Sequence, residues 1–346
     1  MCLCVFVALK PLYLCGYMAK EVPFIKEGKK YKNPVPTRLG SFKDGPKILK
    51  RYFTSDSKIR KPSKEVPVLK VDKSVFAAAP SDDIVVYWLG HAALLLEMGG
   101  RRYLIDPMLG ERASMYTWAG PKRLHPSPLD MNEIGHVDAI AISHDHYDHL
   151  DLPTMKALLK SEVKFFVPFG VKAHFLRWGF QSERITEFGW WQSVADGPNT
   201  LTATPARHFS GRGLFDRDTT LWCGWAFVNE KHKVYFCGDS GIMPGFEDIG
   251  NKFCGFDLTL MPIGAYDPLW HDIHTNAPEA LEAHIMLKGK KMLPIHWATF
   301  DMSLHPWAEP IEQLLIAAEK HSVDLVLPKV GERVELRKEY KEKWWR

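Results

Sequence analysis

The chain has no C-x-x-C pair, no glycine-rich phosphate loop followed by Lys-Ser/Thr, no G-x-S-x-G and no low-complexity tract. The first absence argues against a thiol redox motif or a zinc ribbon, and the next two against P-loop and nucleophile-elbow chemistry. Six cysteines (Cys2, Cys4, Cys15, Cys223, Cys237 and Cys254) are too few to staple a chain of 346 residues. They read as reduced thiols in a reducing compartment. No apolar run is long enough to span a bilayer. Residues Met1 to Ala19 are apolar but broken by Lys10-Pro11. A signal, an anchor and a start at Met18 all remain open readings of that segment. The carboxylates outside the motif described below show no paired acid–base spacing.

What is present is ordinary for a globular protein with a sizeable core: 46% hydrophobic and 25% charged residues. The net charge of +4 hides an asymmetry. Lys20 to Lys73 holds 16 Lys/Arg against 6 Asp/Glu, so the remainder is acidic. Such an arm suits an anionic surface, and equally a solvated extension. It lacks the interleaved aromatics that single-stranded nucleic acid would require, and no nucleic-acid partner is expected. Residues 1–80 therefore read as a basic, Pro-rich arm, 81–330 as the catalytic domain and 331–346 as a charged tail. Trp178, Phe180, Trp190 and Trp191 are read as core rather than lipid-facing, and Trp344-Trp345 as part of a disordered tail.

Regular structure is expected from Ile84. Ile84 to Trp88 and Ala93 to Glu97 read as strands, and Gly99-Gly100 as a hairpin turn into Arg102 to Asp106. Short apolar runs follow near 139–142, 165–167, 201–204, 222–228, 234–237, 258–261, 292–295 and 325–327. Helices are expected after the Asp151-Leu152-Pro153 start, over Asn276 to Met286 and over Pro310 to Lys320. The mixture predicts an α/β layered sandwich.

The chemistry sits in Ser143-His144-Asp145-His146-Tyr147-Asp148-His149-Leu150, an H-x-H-x-D-H run between a buried strand and a capped helix. Imidazoles and a carboxylate suit a borderline metal such as zinc. His144 and His146 can reach one ion, Asp148 and His149 a second. His208, Asp239 and His296 each follow a predicted strand. They complete two four-donor shells if Asp239 bridges with its two oxygens.

Taken together, these residues resemble the metallo-β-lactamase superfamily over about Ile84 to Pro328. That resemblance implies a four-layer αββα sandwich and two Zn²⁺ ions, with Mn²⁺ or Fe²⁺ as alternatives. Trp88-Leu89-Gly90-His91-Ala92, Asp106-Pro107, Gly264-Ala265-Tyr266-Asp267-Pro268 and His296-Trp297-Ala298-Thr299-Phe300 are similar to the N-acylphosphatidylethanolamine phospholipase D branch and bacterial RomA-type relatives. The resemblance implies a dinuclear phosphodiesterase releasing phosphatidic acid and an N-acylethanolamine. A lactonase or phosphoesterase on a small metabolite, or an envelope-associated binding protein, would be the alternatives. His274, Asp148 and Asp106 are the expected catalytic residues. His274 would serve the leaving group, and Asp106 would orient a ligand or its water. His91 is expected to be structural or to support a ligand from behind, rather than to bind metal. Ile273 stands where the animal enzyme carries a polar amide. The expected partner is a phospholipid or other phosphodiester. Peripheral membrane contact, a second copy of the chain, and a cytoplasmic or envelope-associated location all fit that picture.

Overall fold

The computed structural model describes residues 23–38, 46, 50–51, 54 and 58–346. Residues 1–22, and with them the segment Met1 to Ala19, lie outside the described residues. The arm opens with a hairpin, β1 (Ile25–Glu27) and β2 (Lys30–Lys32), and later forms a short helix, α1 (Ser74–Ala77). It is seated on the body. Tyr31 is buried, its N–H donates to Asp218 O at 2.7 Å, and Phe24 packs edge-on against Phe169.

Two seven-stranded sheets form the body. The first contains β3 (Val85–Gly90), β4 (Ala93–Met98), β5 (Arg101–Ile105), β6 (Ala139–Ala141), β7 (Lys164–Pro168) and β8 (Ile185–Phe188). Helices α2 (Leu152–Ala157) and α3 (Lys172–Arg177) cross over between its last three strands. The second contains β9 (Ser193–Asp196), β10 (Asn199–Thr204), β11 (Gly224–Val228), β12 (Lys233–Phe236), β13 (Phe256–Pro262), β14 (Gly289–Ile295) and β15 (Asp324–Leu325). Its crossovers are α4 (Gly245–Phe253), α5 (Ala277–Met286) and α6 (Glu309–His321). A final strand, β16 (Arg333–Glu335), returns to pair with β3 in the first sheet. The segment read as a tail thus supplies an edge strand.

The sheets are antiparallel over β3–β5 and β9–β12 and parallel over β5–β8 and β12–β15, where a helix or the long 106–138 loop makes the crossover. Gly99 and Gly100, both left-handed, make the tight β4–β5 turn that the sequence predicts. Asp151 caps α2 by accepting Thr154 N–H, and Asn276 with Glu279 forms a capping box on α5.

Strand alternation sorts the core. Val86, Trp88, Leu94, Leu96 and Ile105 face Leu201, Ala203, Trp225, Phe227 and Phe236 of the second sheet. Their neighbours Val85, Tyr87, Leu89, Leu95 and Leu104 join Met155, Leu158 and Phe175 on the outer side. β3 and β4 are covered on both faces, so they read as continuous apolar runs. Phe180 and Trp190 are buried, and Trp178 and Trp191 half-buried, in line with core packing. No helix among the described residues is long and apolar enough to cross a membrane.

This topology positions the site. Asp106, the 142–149 loop, His208, Asp239 and His296 all lie beyond the carboxyl ends of β5, β6, β10, β12 and β14. Chain leaving rigid strands there can aim side chains into one crevice between the sheets.

Candidate metal centre

Two donor groups form side by side. In the first, His146 Nδ1 lies 2.9 Å from His144 Nε2 and 3.3 Å from His208 Nε2. Nitrogens bound tetrahedrally to one zinc at ~2.0–2.1 Å would stand about 3.3 Å apart, so this spacing already suits a single ion. In the second, Asp148 Oδ2 lies 3.4 Å from His149 Nε2 and 3.5 Å from His296 Nε2. Asp239 stands between the groups. Its Oδ2 is 3.2 Å from His149 Nε2, 3.7 Å from His208 Nε2 and 3.9 Å from His144 Nε2, while Oδ1 is 3.1 Å from His296 Nε2. All seven expected ligands are therefore brought together, with Asp239 touching both groups.

The outer edges of three of the imidazoles, His144, His149 and His208, are tied down. His149 Nδ1–H donates to Asp106 Oδ2 at 2.7 Å, and His208 Nδ1–H donates to Ile273 O at 2.9 Å. Ser143 donates its N–H and its Oγ–H to Asp106, at 2.7 and 2.5 Å, and its Oγ lies 2.9 Å from His144 Nδ1. A proton on the outer nitrogen leaves the inner lone pair facing the crevice, the arrangement that orients metal-ligating histidines. Asp106 is fully buried behind His149. Its contacts make it a positioning residue for that imidazole.

Inward-facing atoms have the opposite character. His149 Nε2, His296 Nε2, Asp239 Oδ1 and His274 Nδ1 are buried without a hydrogen-bond partner. Buried polar atoms are rarely left so, and a cation would satisfy several of these at once. Nitrogen and carboxylate donors of this kind fit zinc, manganese or iron. The residues could hold ions as His144–His146–His208 and as Asp148–His149–His296, with His91 adjoining the latter. His91 Nε2 lies 2.8 Å from Asp148 Oδ2. That contact holds the carboxylate in place and agrees with a supporting role.

Local backbone is bent to reach this geometry. His91, Asp106, Ala265, His296 and Ala298 are all left-handed, at φ of 51, 40, 61, 62 and 63°. Non-glycine residues rarely adopt that region, and such strain clusters at functional sites. Gly264 has a separate reason to be glycine: a Cβ there would lie 2.3 Å from His296 O.

The charge pattern follows from burial and proximity. Burial opposes every charge in the crevice, yet His149 and His296 outweigh it and hold Asp239 well below the usual carboxylate range. Burial likewise opposes charge on the two imidazoles, but Asp239 and Asp148 overcome it. They push His296 up to about 9 and His149 well above its ordinary value. His144 and His208 are driven far down, first by burial and then by neighbouring imidazoles. At neutral pH the metal-free crevice therefore holds imidazolium at His149 and His296. Cation uptake is expected to release those protons and to weaken as pH falls. Titration calorimetry in buffers of different ionisation enthalpy measures the release, and uptake without proton release would contradict this charge assignment. The sign for folding is the reverse. Raised histidine pKa values stabilise the metal-free fold fully below about 6.5, and this is lost as pH rises through about 9.

His274 lines the cavity with His146, Asp148 and Asp239, its Nδ1 lying 3.8 Å from Asp239 Oδ2. Burial, with help from His296, depresses its pKa to about 4. It is a neutral imidazole at neutral pH, able to give or take a hydrogen bond. The cavity measures about 440 Å³. A larger one of about 700 Å³ shares Tyr147 with it and is lined by Met115, Tyr116, Met131 and Trp178.

Sequence reasoning missed several contributors. Ser143 adjoins the motif but has no metal-ligand chemistry to mark it. Asn33, from the arm, grips the backbone of His208: Asn33 Nδ2 donates to His208 O at 2.7 Å, and Asn33 Oδ1 accepts His208 N–H at 2.9 Å. Arg207 pins the same arm through Pro36 O and Thr37 Oγ1. Nothing local in the sequence signals contacts across that separation.

A crevice between two mixed sheets, floored by histidines and aspartates at strand ends, defines a metal-dependent hydrolase of the metallo-β-lactamase fold. The chain belongs to the beta-lactamase superfamily, whose domain model matches residues 101–297. It is 47% identical over 268 residues to an uncharacterised protein of Mycobacterium tuberculosis, covering 76% of this chain and 72% of that one. It is 34% identical over 310 residues to N-acyl-phosphatidylethanolamine-hydrolyzing phospholipase D 1 of Caenorhabditis elegans, covering 84% and 86%. Among solved structures, the isothiocyanate hydrolase from Delia radicum gut bacteria superposes with a TM-score of 0.59 at 20% identity. It covers 72% of this chain and 98% of that one, a likeness of fold.

Proposed function

We propose that the protein is a phosphodiesterase of phospholipase D type, cleaving N-acylphosphatidylethanolamine-like lipids to phosphatidic acid and N-acylethanolamine. The observation that carries this reading is the seven-residue His/Asp cluster, of which His146, Asp148 and Asp239 line a cavity beside loops with exposed apolar side chains. Met115, Tyr116, Trp118, Leu214 and Phe215 are exposed at 58, 51, 77, 82 and 94% on the loops that flank the cavities. Exposed aromatic and aliphatic side chains in one region suit contact with an amphiphile or a membrane surface. The relationship to the nematode phospholipase points the same way.

Bound by the two donor groups, a pair of divalent cations would make water a nucleophile near neutral pH and offset charge on the phosphoryl oxygens. Water oxygen would form the new bond to phosphorus, and the bond from phosphorus to the ethanolamide oxygen would break. Asp148, steadied by His91, and Asp239 would accept hydrogen bonds from the attacking water. His274 would hydrogen-bond the departing oxygen, which takes up the proton that the attacking water gives up. Its support is its place on the cavity wall and its unpartnered Nδ1. Asp106 would act through His149.

The test is turnover by the metal-loaded chain of N-acylphosphatidylethanolamine vesicles, bis-p-nitrophenyl phosphate and a lactone panel. Phosphatidic acid and N-acylethanolamine are the expected products. Lactone cleavage alone would point to a soluble metabolite, and no turnover with metal bound would point to a binding role.

A further inference from the structure

Three arginines approach the metal centre, and their commitments differ. Arg207 donates to Pro36 O and Ile242 O and pairs with Asp272 at 2.8 Å. Arg212 donates to Asp145 O and Leu150 O at 2.7 and 2.8 Å and lies 4.0 Å above the Tyr147 ring. Both guanidiniums serve the fold. Arg217 does not. Its Nε is buried without a hydrogen-bond partner, and its charge acts on the adjoining Asp218 without an ion pair forming between them. Its guanidinium carbon sits 5.0 Å over the Phe209 ring.

That ring is the link to the site. Phe209 follows the ligand His208 in sequence and packs edge-on to His146, with centroids 4.4 Å apart. Arg217 and Phe209 both line the cavity that holds His146, Asp148, Asp239 and His274. Arg217 is the one lysine or arginine among the residues lining it. A guanidinium in the wall of a small cavity, with its Nε unpartnered, carries a persistent positive charge and paired N–H donors. Planar forks of this kind match two oxygens of a phosphoryl group. Phe209 thus touches both the arginine and the His146 imidazole.

We infer that Arg217 is a specificity-determining residue that receives the anionic oxygens of a phosphoryl group bound in the metal cavity. It selects charged phosphoesters over neutral esters of the same shape. This rests on the phosphodiesterase reading for its substrate, though the anion site itself can be measured apart from turnover.

The experiment uses the full chain loaded with metal and inorganic phosphate as the probe, with binding followed by titration calorimetry. Arg217→Gln is expected to weaken phosphate binding by about tenfold to hundredfold, the value of a hydrogen bond to a charged group. Metal content should be unchanged, and KM for bis-p-nitrophenyl phosphate should rise more than kcat falls. Arg217→Lys, which keeps the charge and loses the fork, should fall between. Phosphate binding in Arg217→Gln equal to that of the parent overturns the inference, as does a parent that binds no phosphate. If Arg217→Gln does not fold, the Lys variant decides: parental affinity there shows that the fork is not used. Phosphate binding lost on substitution, in a chain that turns over no phosphodiester, keeps the anion site and removes the phosphodiesterase reading.

Discussion

Replacing Asp239 by Asn is expected to abolish two-metal binding while leaving the fold intact. The substitution is nearly isosteric, and the side chain is only 2% exposed, so packing changes little. What changes is charge at the point where the two donor groups meet. Asp239 faces His144, His149 and His208 through one oxygen and His296 through the other. An amide supplies a single acceptor oxygen and turns N–H donors toward either His296 or the other three. It cannot serve both groups as an anion. Metal analysis should then find at most one ion per chain. Phosphodiester turnover should fall by about a thousandfold or more, since loss of the bridge removes several kcal/mol of charge stabilisation. A second signature lies in the metal-free state. Asp239 is the largest electrostatic cause of the raised pKa values of His149 and His296. Both should therefore titrate lower in the variant, which histidine NMR would detect. A variant that keeps two ions and full turnover would remove Asp239 from the centre of the site.

Some of this was legible in the sequence because the chemistry is concentrated. Three imidazoles and two carboxylates within six residues, His144 to His149, are costly to bury beside one another unless partners such as a cation satisfy them. His208, Asp239 and His296 could be read because each follows a run that had to be a buried strand. The β3–β4–β5 meander was legible from its apolar runs and its double-glycine turn. Other elements carry no such signal. β9 is Ser-Val-Ala-Asp and β16 is Arg-Val-Glu, short edge strands with a single valine and nothing larger to mark a buried face. Helix α4 contains two glycines, which lower helix propensity, yet Gly250 is required because a Cβ there would lie 2.2 Å from Met286 O. The carboxylate behind His149 was legible as Asp106, but Ser143 and Asn33 were not. Their roles come from contacts that only the folded chain brings together. Residues 344–346 are the clearest case, since a basic, charged segment with two tryptophans looks like a solvated end.

Removing that tryptophan pair should cost as much as opening a cavity in the core. Trp345 is buried, its Nε1–H donates to Glu312 Oε1 at 2.7 Å, and Arg346 pairs with the same carboxylate at 2.6 Å. Trp344 stacks on Trp297 at 5.3 Å and 28°, and Trp297 stacks on Trp88 at 5.8 Å and 15°. Trp345→Ala is therefore expected to destabilise the protein by about 3–5 kcal/mol, the cost of emptying a buried tryptophan site. A substitution on a solvated tail would change stability by no more than about 0.5 kcal/mol, so denaturant unfolding separates the two outcomes. Loss of the stacked indoles should also diminish the near-ultraviolet circular dichroism. The consequence for the site follows from connectivity. Trp297 is bonded directly to His296, Trp88 Nε1–H donates to His91 O, and that carbonyl also accepts His296 N–H at 2.9 Å. Trp344→Ala, which thins this support from behind, should weaken the ion held by Asp148, His149 and His296 by about 10–100-fold. The ion held by His144, His146 and His208 should keep its affinity. Competition with a chelator resolves the two ions, and equal weakening of both would show that the tryptophans stabilise the fold without aiming His296.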